Sequence, residues 1–296
     1  MSRVDLDFVF PRRRVQLVRK RIPAYEFERI YVLTVKEKDP NVTGVVTHSS
    51  GNHGQALAWA AKMAKLPCTV VVPNNFSAVK VEAIKGYGAE LVLCEPTPAS
   101  RQETCDRVGK EKSFTFIPPY DHYDVIAGQG TMAVEFLKQV PDLDAILVPV
   151  SGGGMISGIA IAAKTIKPDI KVFMVEPEGK MAEESLRAGE RLWPDPPGFL
   201  NTIADGIRLQ QLGHITWPII LELVEKDVFS VSDEEMIKGM QFTFQRMKLV
   251  IEAASGAGVA AVMSEKMATM DPSIKNIGVI LCGGNVDINN LPWYKI

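Results

Sequence analysis

From Val45 onward the chain alternates short β-branched and apolar runs with longer stretches whose apolar positions recur at helical spacing. Residues 45–47, 69–72, 91–93 and 115–117 read as strands, separated by helices over 55–64, 78–87 and 101–110, with Gly88 placed to cap the second. A second series follows: helix 126–139, strand 145–150, helix 155–166 and strand 172–175. Beyond it come strand 228–231, helix 234–247 with Asp233 as N-cap, a small-residue helix over 253–270 and strand 277–281. The strands are continuous apolar runs, which suits strands buried on both faces of a parallel sheet flanked by helices. The stretch 193–199 carries Pro194, Pro196, Pro197 and Gly198 and reads as loop. The fold class is therefore α/β, with two domains that each hold a mainly parallel sheet between helices.

The first 44 residues have little periodicity and a dense run of arginines, so no strand is assigned there, and Lys36 and Lys38 are read as part of a polar linker. This divides the chain into an atypical N-terminal segment (1–43, nominally part of the large domain), a small βαβ domain (44–121) and a larger domain (122–296). Composition narrows the function classes. The 33 basic and 35 acidic residues give a net charge of −2 without a basic stripe, which argues against nucleic acid and anionic membrane as partners. No apolar run is long enough for a membrane helix. The four cysteines are scattered, with no CxxC pair, which suits reduced thiols. The arginine-rich start lacks the apolar core of a secretion signal, so a cytoplasmic location is expected.

Three strand-to-helix loops carry the candidate chemistry. His48-Ser49-Ser50-Gly51-Asn52-His53-Gly54 opens onto helix N-terminal amides, an arrangement that binds anions, although Ser and Asn at such a place also serve as ordinary helix caps. Pro149-Val150-Ser151-Gly152-Gly153-Gly154-Met155 presents successive glycine amides at a helix start, where a phosphate fits; a plain tight turn is the bland alternative. Leu281-Cys282-Gly283-Gly284-Asn285 follows the last strand, and Cys282 is either a small buried apolar residue or a neutral hydrogen-bonding group.

Taken together and in this order, the three loops resemble the fold-type II pyridoxal-phosphate (PLP) enzymes of the serine racemase and serine/threonine dehydratase family, related in fold to the tryptophan synthase β subunit. Supporting matches run through Tyr120–Thr131, 202–206 and 246–252. The resemblance implies PLP as cofactor, held between the two domains. Ser151, Gly152, Gly153, Gly154 and Met155 would hold its phosphate, Asn52 its ring hydroxyl and Cys282 its pyridine nitrogen. Ser50 would face the substrate α-carbon, with Ser49, His53 and Arg101 around the substrate and Glu252 near the cofactor. It implies a small amino acid, serine or threonine, as substrate, which is racemised or converted to a 2-oxo acid and ammonia. A homodimer and a nucleotide effector are further expectations.

The chain departs from the family in two places. The lysine that bonds covalently to PLP lies, in relatives, in a Ser-Phe-Lys-x-Arg-Gly segment upstream of the Ser-Ser-Gly-Asn loop. Here only Lys20-Arg21-Ile22-Pro23-Ala24 echoes it, which makes Lys20 the candidate amine. The divalent-metal site of eukaryotic serine racemases (Mg2+ or Ca2+) keeps Glu176, but its second acidic position falls on Ala182, with Glu178, Glu183 and Glu184 nearby. Three alternatives stay open: a catalytically impaired PLP-binding homologue, a β-replacement enzyme such as cysteine synthase, and a nucleotide-binding protein. The last lacks the G-x-G-x-x-G fingerprint.

Overall fold

The computed structural model describes residues 14–19, 26–49, 51–75, 78–194, 196 and 198–294. The elements in chain order are β1 (Arg14–Arg19), α1 (Glu26–Lys38), β2 (Val45–His48), α2 (Asn52–Ala64), β3 (Cys68–Pro73), α3 (Ala78–Gly86), β4 (Glu90–Cys94), α4 (Pro98–Lys112) and β5 (Thr115–Phe116). They continue with α5 (Tyr123–Gln139), β6 (Ala145–Pro149), α6 (Gly154–Ile166), β7 (Lys171–Pro177), α7 (Ala182–Ala188), α8 (Thr216–Leu223), β8 (Phe229–Val231), α9 (Asp233–Phe242), α10 (Ala253–Met263), α11 (Glu265–Thr269) and β9 (Asn276–Leu281). The chain divides into two compact units, one spanning Ile22–Gly128 and the other combining β1 with the chain from Gln129 onward.

In the unit 22–128 a parallel sheet runs in the order β4-β3-β2-β5. Both faces are covered, as continuous apolar strands require. Val70 and Val72 join Val32, Leu57, Ala61 and Ile84 on one face, while the intervening Val71 joins Val46, Cys105 and Val108 on the other. Helix α4 starts earlier than its periodicity suggests, because Thr97 accepts the Ser100 amide at 3.2 Å and Pro98 occupies the first turn. The polar linker expected around Lys36 and Lys38 is instead the last turn of α1. Val32 of that helix is fully buried, and Lys36 Nζ donates to the Ala64 carbonyl at 3.1 Å. The small unit thus extends beyond 44–121 at both ends.

The other unit holds a five-stranded parallel sheet in the order β1-β9-β6-β7-β8. Here the reading that the N-terminal segment contributes no strand is corrected. Residues Arg14–Arg19 pair in register with Asn276–Leu281, ending with Arg19 opposite Leu281. Helix α10 runs through the core, buried from Ala253 to Val262, which explains its small residues.

Three boundaries differ from their periodicity. Ser232, not Asp233, caps α9: its hydroxyl accepts the Glu235 amide at 3.3 Å, and Glu235 accepts the Ser232 amide at 2.8 Å. Asp233 instead accepts the Thr202 hydroxyl and the Ile203 amide. The expected helix 234–247 leaves α geometry at Thr243, and Thr243–Met247 forms a π-helical turn closed by Lys248 at φ 58°. The expected helix 253–270 breaks at Ser264, whose side chain caps α11 by accepting the Met267 amide at 3.2 Å.

Candidate functional site

In the unit 22–128, β2 delivers His48 and Ser49 to the start of α2. Gly51 N donates to Ser49 Oγ at 3.3 Å, and the Ser49 carbonyl runs so close to the helix that a Cβ at Gly54 would lie 2.2 Å from it. Only glycine fits there. Asn52 and His53 form the first turn of α2, where His53 Nε2 lies 3.4 Å from the Ile117 carbonyl. Ser50 lies outside the described residues. The His48 ring stacks on Phe116 with centroids 5.6 Å apart, and its Nε2 is 3.0 Å from Gln102 Oε1. Burial lowers the pKa of His48; the Gln102 hydrogen bond opposes this, and the charges of His53 and Arg101 lower it further. Arg101 stands in the first turn of α4 with its Nε and Nη2 buried. An imidazole whose charging is disfavoured by burial, the half-buried Arg101 guanidinium and the amide end of a helix thus form a positive corner that suits a carboxylate.

In the other unit, the glycine loop joins β6 to α6. Ser151 keeps its φ out of the left-handed region, whereas Gly153 has φ 97°, and a Cβ there would meet Ile220 Cδ1 at 2.7 Å and Thr216 Oγ1 at 2.8 Å. The loop's outer side is fixed: the Gly152 carbonyl accepts from Gly213 N at 2.9 Å and from Thr216 Oγ1 at 2.8 Å. Among the described residues, no acceptor takes the amides of Gly152, Gly153, Gly154 or Met155. Four donors at the start of a 13-residue helix, around a turn where a side chain does not fit, match the demands of a phosphate.

The Cys282 loop follows β9 and is held by the start of α10. Ser255 Oγ donates to the Gly283 carbonyl at 2.8 Å and accepts the Gly283 amide at 2.8 Å, and it lies 3.5 Å from Cys282 Sγ. Glu252 is buried; its amide donates to Gly283 O at 3.1 Å, and its carboxylate accepts the Asn285 amide at 2.9 Å. Glu252 therefore orients the Cys282 turn. The donor sets of the glycine and Cys282 loops fit the phosphate and ring nitrogen of PLP, so on these observations the residues present accommodate the cofactor.

The metal expectation fares differently. Glu176 is buried at the end of β7, and its Oε2 accepts the Ala182 amide at 3.2 Å. Burial raises its pKa and lowers that of Lys180, each opposed by the other's charge. Glu183 is engaged with Arg187 at 2.8 Å, Lys266 at 2.9 Å and the Val228 amide at 3.1 Å. Among the described residues, no group of three or more acidic, His or Cys side chains is arranged to hold a metal ion. With the Lys180 amine electrostatically coupled to the buried Glu176 and Glu183 taken up by other partners, these residues do not fit a divalent cation.

Lys20 lies outside the described residues; the strand before it ends at Arg19, opposite Leu281 and next to the Cys282 turn. The sequence reading missed Gln102, Thr216, Ser255 and Lys180. A small polar residue such as Ser255 in an alanine-rich helix was the one signal available, and spacing alone did not connect it to Cys282.

Similarity to known proteins agrees with this geometry. The family described as "Pyridoxal-phosphate dependent enzyme" matches residues 27–283. A serine racemase from Rattus norvegicus is 46% identical over 253 residues, covering 85% of this chain and 74% of the relative. An L-threo-3-hydroxyaspartate ammonia-lyase from Saccharomyces cerevisiae is 42% identical over 271 residues, covering 91% of this chain and 81% of that protein. The crystal structure of a PLP-dependent aspartate racemase superposes with a TM-score of 0.94 at 55% identity, covering 96% of this chain and 88% of the other. With a glycine loop and a Cys282 turn that fit the cofactor, and on these matches, the chain belongs to the fold-type II PLP-dependent enzymes, in the family of the serine racemases and serine/threonine dehydratases.

Proposed function

We propose that the protein racemises small amino acids and eliminates their β-substituent to give a 2-oxo acid and ammonia, with serine and threonine as substrates. The observation that carries this reading is the glycine loop, whose four amides have no acceptor among the described residues. When bound, PLP supplies the electron sink that makes an amino acid's α-proton removable. The amides of residues 152–155 would hold its phosphate. Cys282, whose turn is fixed through Ser255 and Gly283, would meet the ring nitrogen as a thiol, a weaker proton donor than a carboxylic acid, which would favour prompt reprotonation or elimination. Arg101, with His48 and His53, takes the substrate carboxylate. Lys20 removes the α-proton on one face, and Ser50 gives or takes one on the other. A homodimer and a nucleotide effector belong to the same reading through the family resemblance, and cytoplasmic residence through the scattered cysteines, which suit reduced thiols.

A second reading is favoured by the 55% identity to an aspartate racemase and the 42% identity to a hydroxyaspartate ammonia-lyase: an acidic substrate whose second carboxylate also meets the positive corner. Assaying serine, threonine, aspartate and 3-hydroxyaspartate side by side separates the two. The family-level test is borohydride reduction of the PLP-treated protein, followed by mass spectrometry. A pyridoxyl adduct on Lys20, with pyruvate formed from serine, is the expected result. No covalent adduct and no product from any of the four substrates would overturn the catalytic reading in favour of an impaired homologue. Ser50→Ala should abolish racemisation and retain part of L-serine elimination; equal loss of both would remove Ser50 from its role.

A further inference from the structure

Lys180 is a fully buried lysine that the catalytic reading leaves unused. It follows β7 between Gly179 (φ 85°) and Met181 (φ 62°), two left-handed positions on either side of it. Left-handed backbone is costly at a β-carbon residue such as Met181, so the turn is maintained against strain. Lys180 Nζ donates to the carbonyl of Leu209 and, at 3.4 Å, to that of Gln210, while its own carbonyl accepts the Trp193 indole N–H. The buried Glu176 carboxylate is the charge it feels most. Two main-chain carbonyls converge on the Lys180 side chain in this niche, with the buried Glu176 carboxylate within electrostatic reach, and main-chain oxygens are among the donors that hard cations take. An ammonium, with three donors and no acceptor, can serve the same carbonyls.

The niche is connected to the phosphate cradle. Gln210 N donates to Gly198 O at 3.2 Å, and Arg191 Nη1 donates to the Leu212 and Gly213 carbonyls at 2.8 and 2.9 Å. The Gly213 amide then reaches Gly152 O at 2.9 Å. Whatever cation fixes the carbonyls of Leu209 and Gln210 thus fixes the segment that backs the glycine loop. We propose that the ammonium of Lys180 is a tethered cation that organises Leu209, Gln210 and, through Gly213, the glycine loop near Glu176, so that the protein needs no divalent metal there. Lys180 is a positioning residue in this proposal, and the chain meets by covalent attachment a requirement that a bound ion would otherwise meet.

The test is thermal melting and PLP titration of the purified full chain after chelation, with and without millimolar Mg2+ or Ca2+. Neither readout depends on turnover, so the test stands even if the catalytic reading fails. The wild-type midpoint and PLP affinity should not change with either ion. Lys180→Met, which keeps the volume and removes the charge beside a buried carboxylate, should melt about 5 °C or more lower and bind PLP about tenfold more weakly. Lys180→Ala, which opens the niche, should be restored in part by Mg2+, Ca2+ or ethylammonium. A wild-type midpoint that rises with either metal ion, or a Lys180→Met protein that melts and binds PLP like wild type, would overturn the proposal. If both variants fail to fold, the wild-type arm still decides.

Discussion

At the scale of single residues, Gly153 and His48 make the sharpest claims. Gly153 combines φ 97° with a β-carbon position 2.7 Å from Ile220. Gly153→Ala should therefore cost about 1–3 kcal/mol of stability and weaken PLP binding more than any other change in the loop; melting and a fluorescence titration of PLP check both. His48 has a folded pKa below its ordinary 6.5, first because of burial. The unfolded chain then binds the proton more readily, so stability falls as pH drops from 6.5 to the lowered folded value and is insensitive to His48 above that range. His48→Asn should flatten this acid limb in urea titrations at a series of pH values. An unchanged limb would show that another group produces it.

At the scale of elements, the parallel strands declared themselves because burial on both faces leaves few polar positions in them, most of these at their ends. Val70, Val71 and Val72 supply two cores in turn. Strand β1 was hidden: its arginines at both ends and the apolar 15, 17 and 18 between them make too short a pattern, and only pairing with Asn276–Leu281 defines it. Helix α1 was hidden by its charges, since Val32 packs into the core of its unit while Lys36 reaches the Ala64 carbonyl and Lys38 pairs with Asp124. The break of α9 into a π turn and the break at Ser264 were illegible because both arise from local hydrogen bonds that compete with an unbroken apolar pattern. Helix α10 gives the test at this scale. It is buried on all sides with Ala257 at its centre, so Ala257→Leu should destabilise the fold by about 1–3 kcal/mol through overpacking. Chemical denaturation would detect this as a lower midpoint.

For the whole molecule, no disulfide joins the four cysteines, and Cys68 and Cys105, both in the unit 22–128, have pKa values pushed by burial from 9.0 to about 12. The unfolded chain loses these protons first, so their contribution to stability is complete below pH 9 and is lost as pH rises from 9 toward 12. Cys68→Ala with Cys105→Ala should shallow the alkaline limb of the stability profile. Both thiols should also react slowly with alkylating reagents in the native state.

The order and chemistry of the three loops were determined by the sequence itself, because each lies where an apolar strand gives way to glycines and a helix, a change that local pattern records. The family and the cofactor class follow from those loops. The tertiary structure decided what lies outside local pattern: the pairing of β1 with β9, the seat of Cys282 on Ser255, and the burial of Lys180 against the carbonyls of Leu209 and Gln210. Each of these joins residues far apart in the chain, and a buried polar group finds its partner only when the fold brings that partner to it.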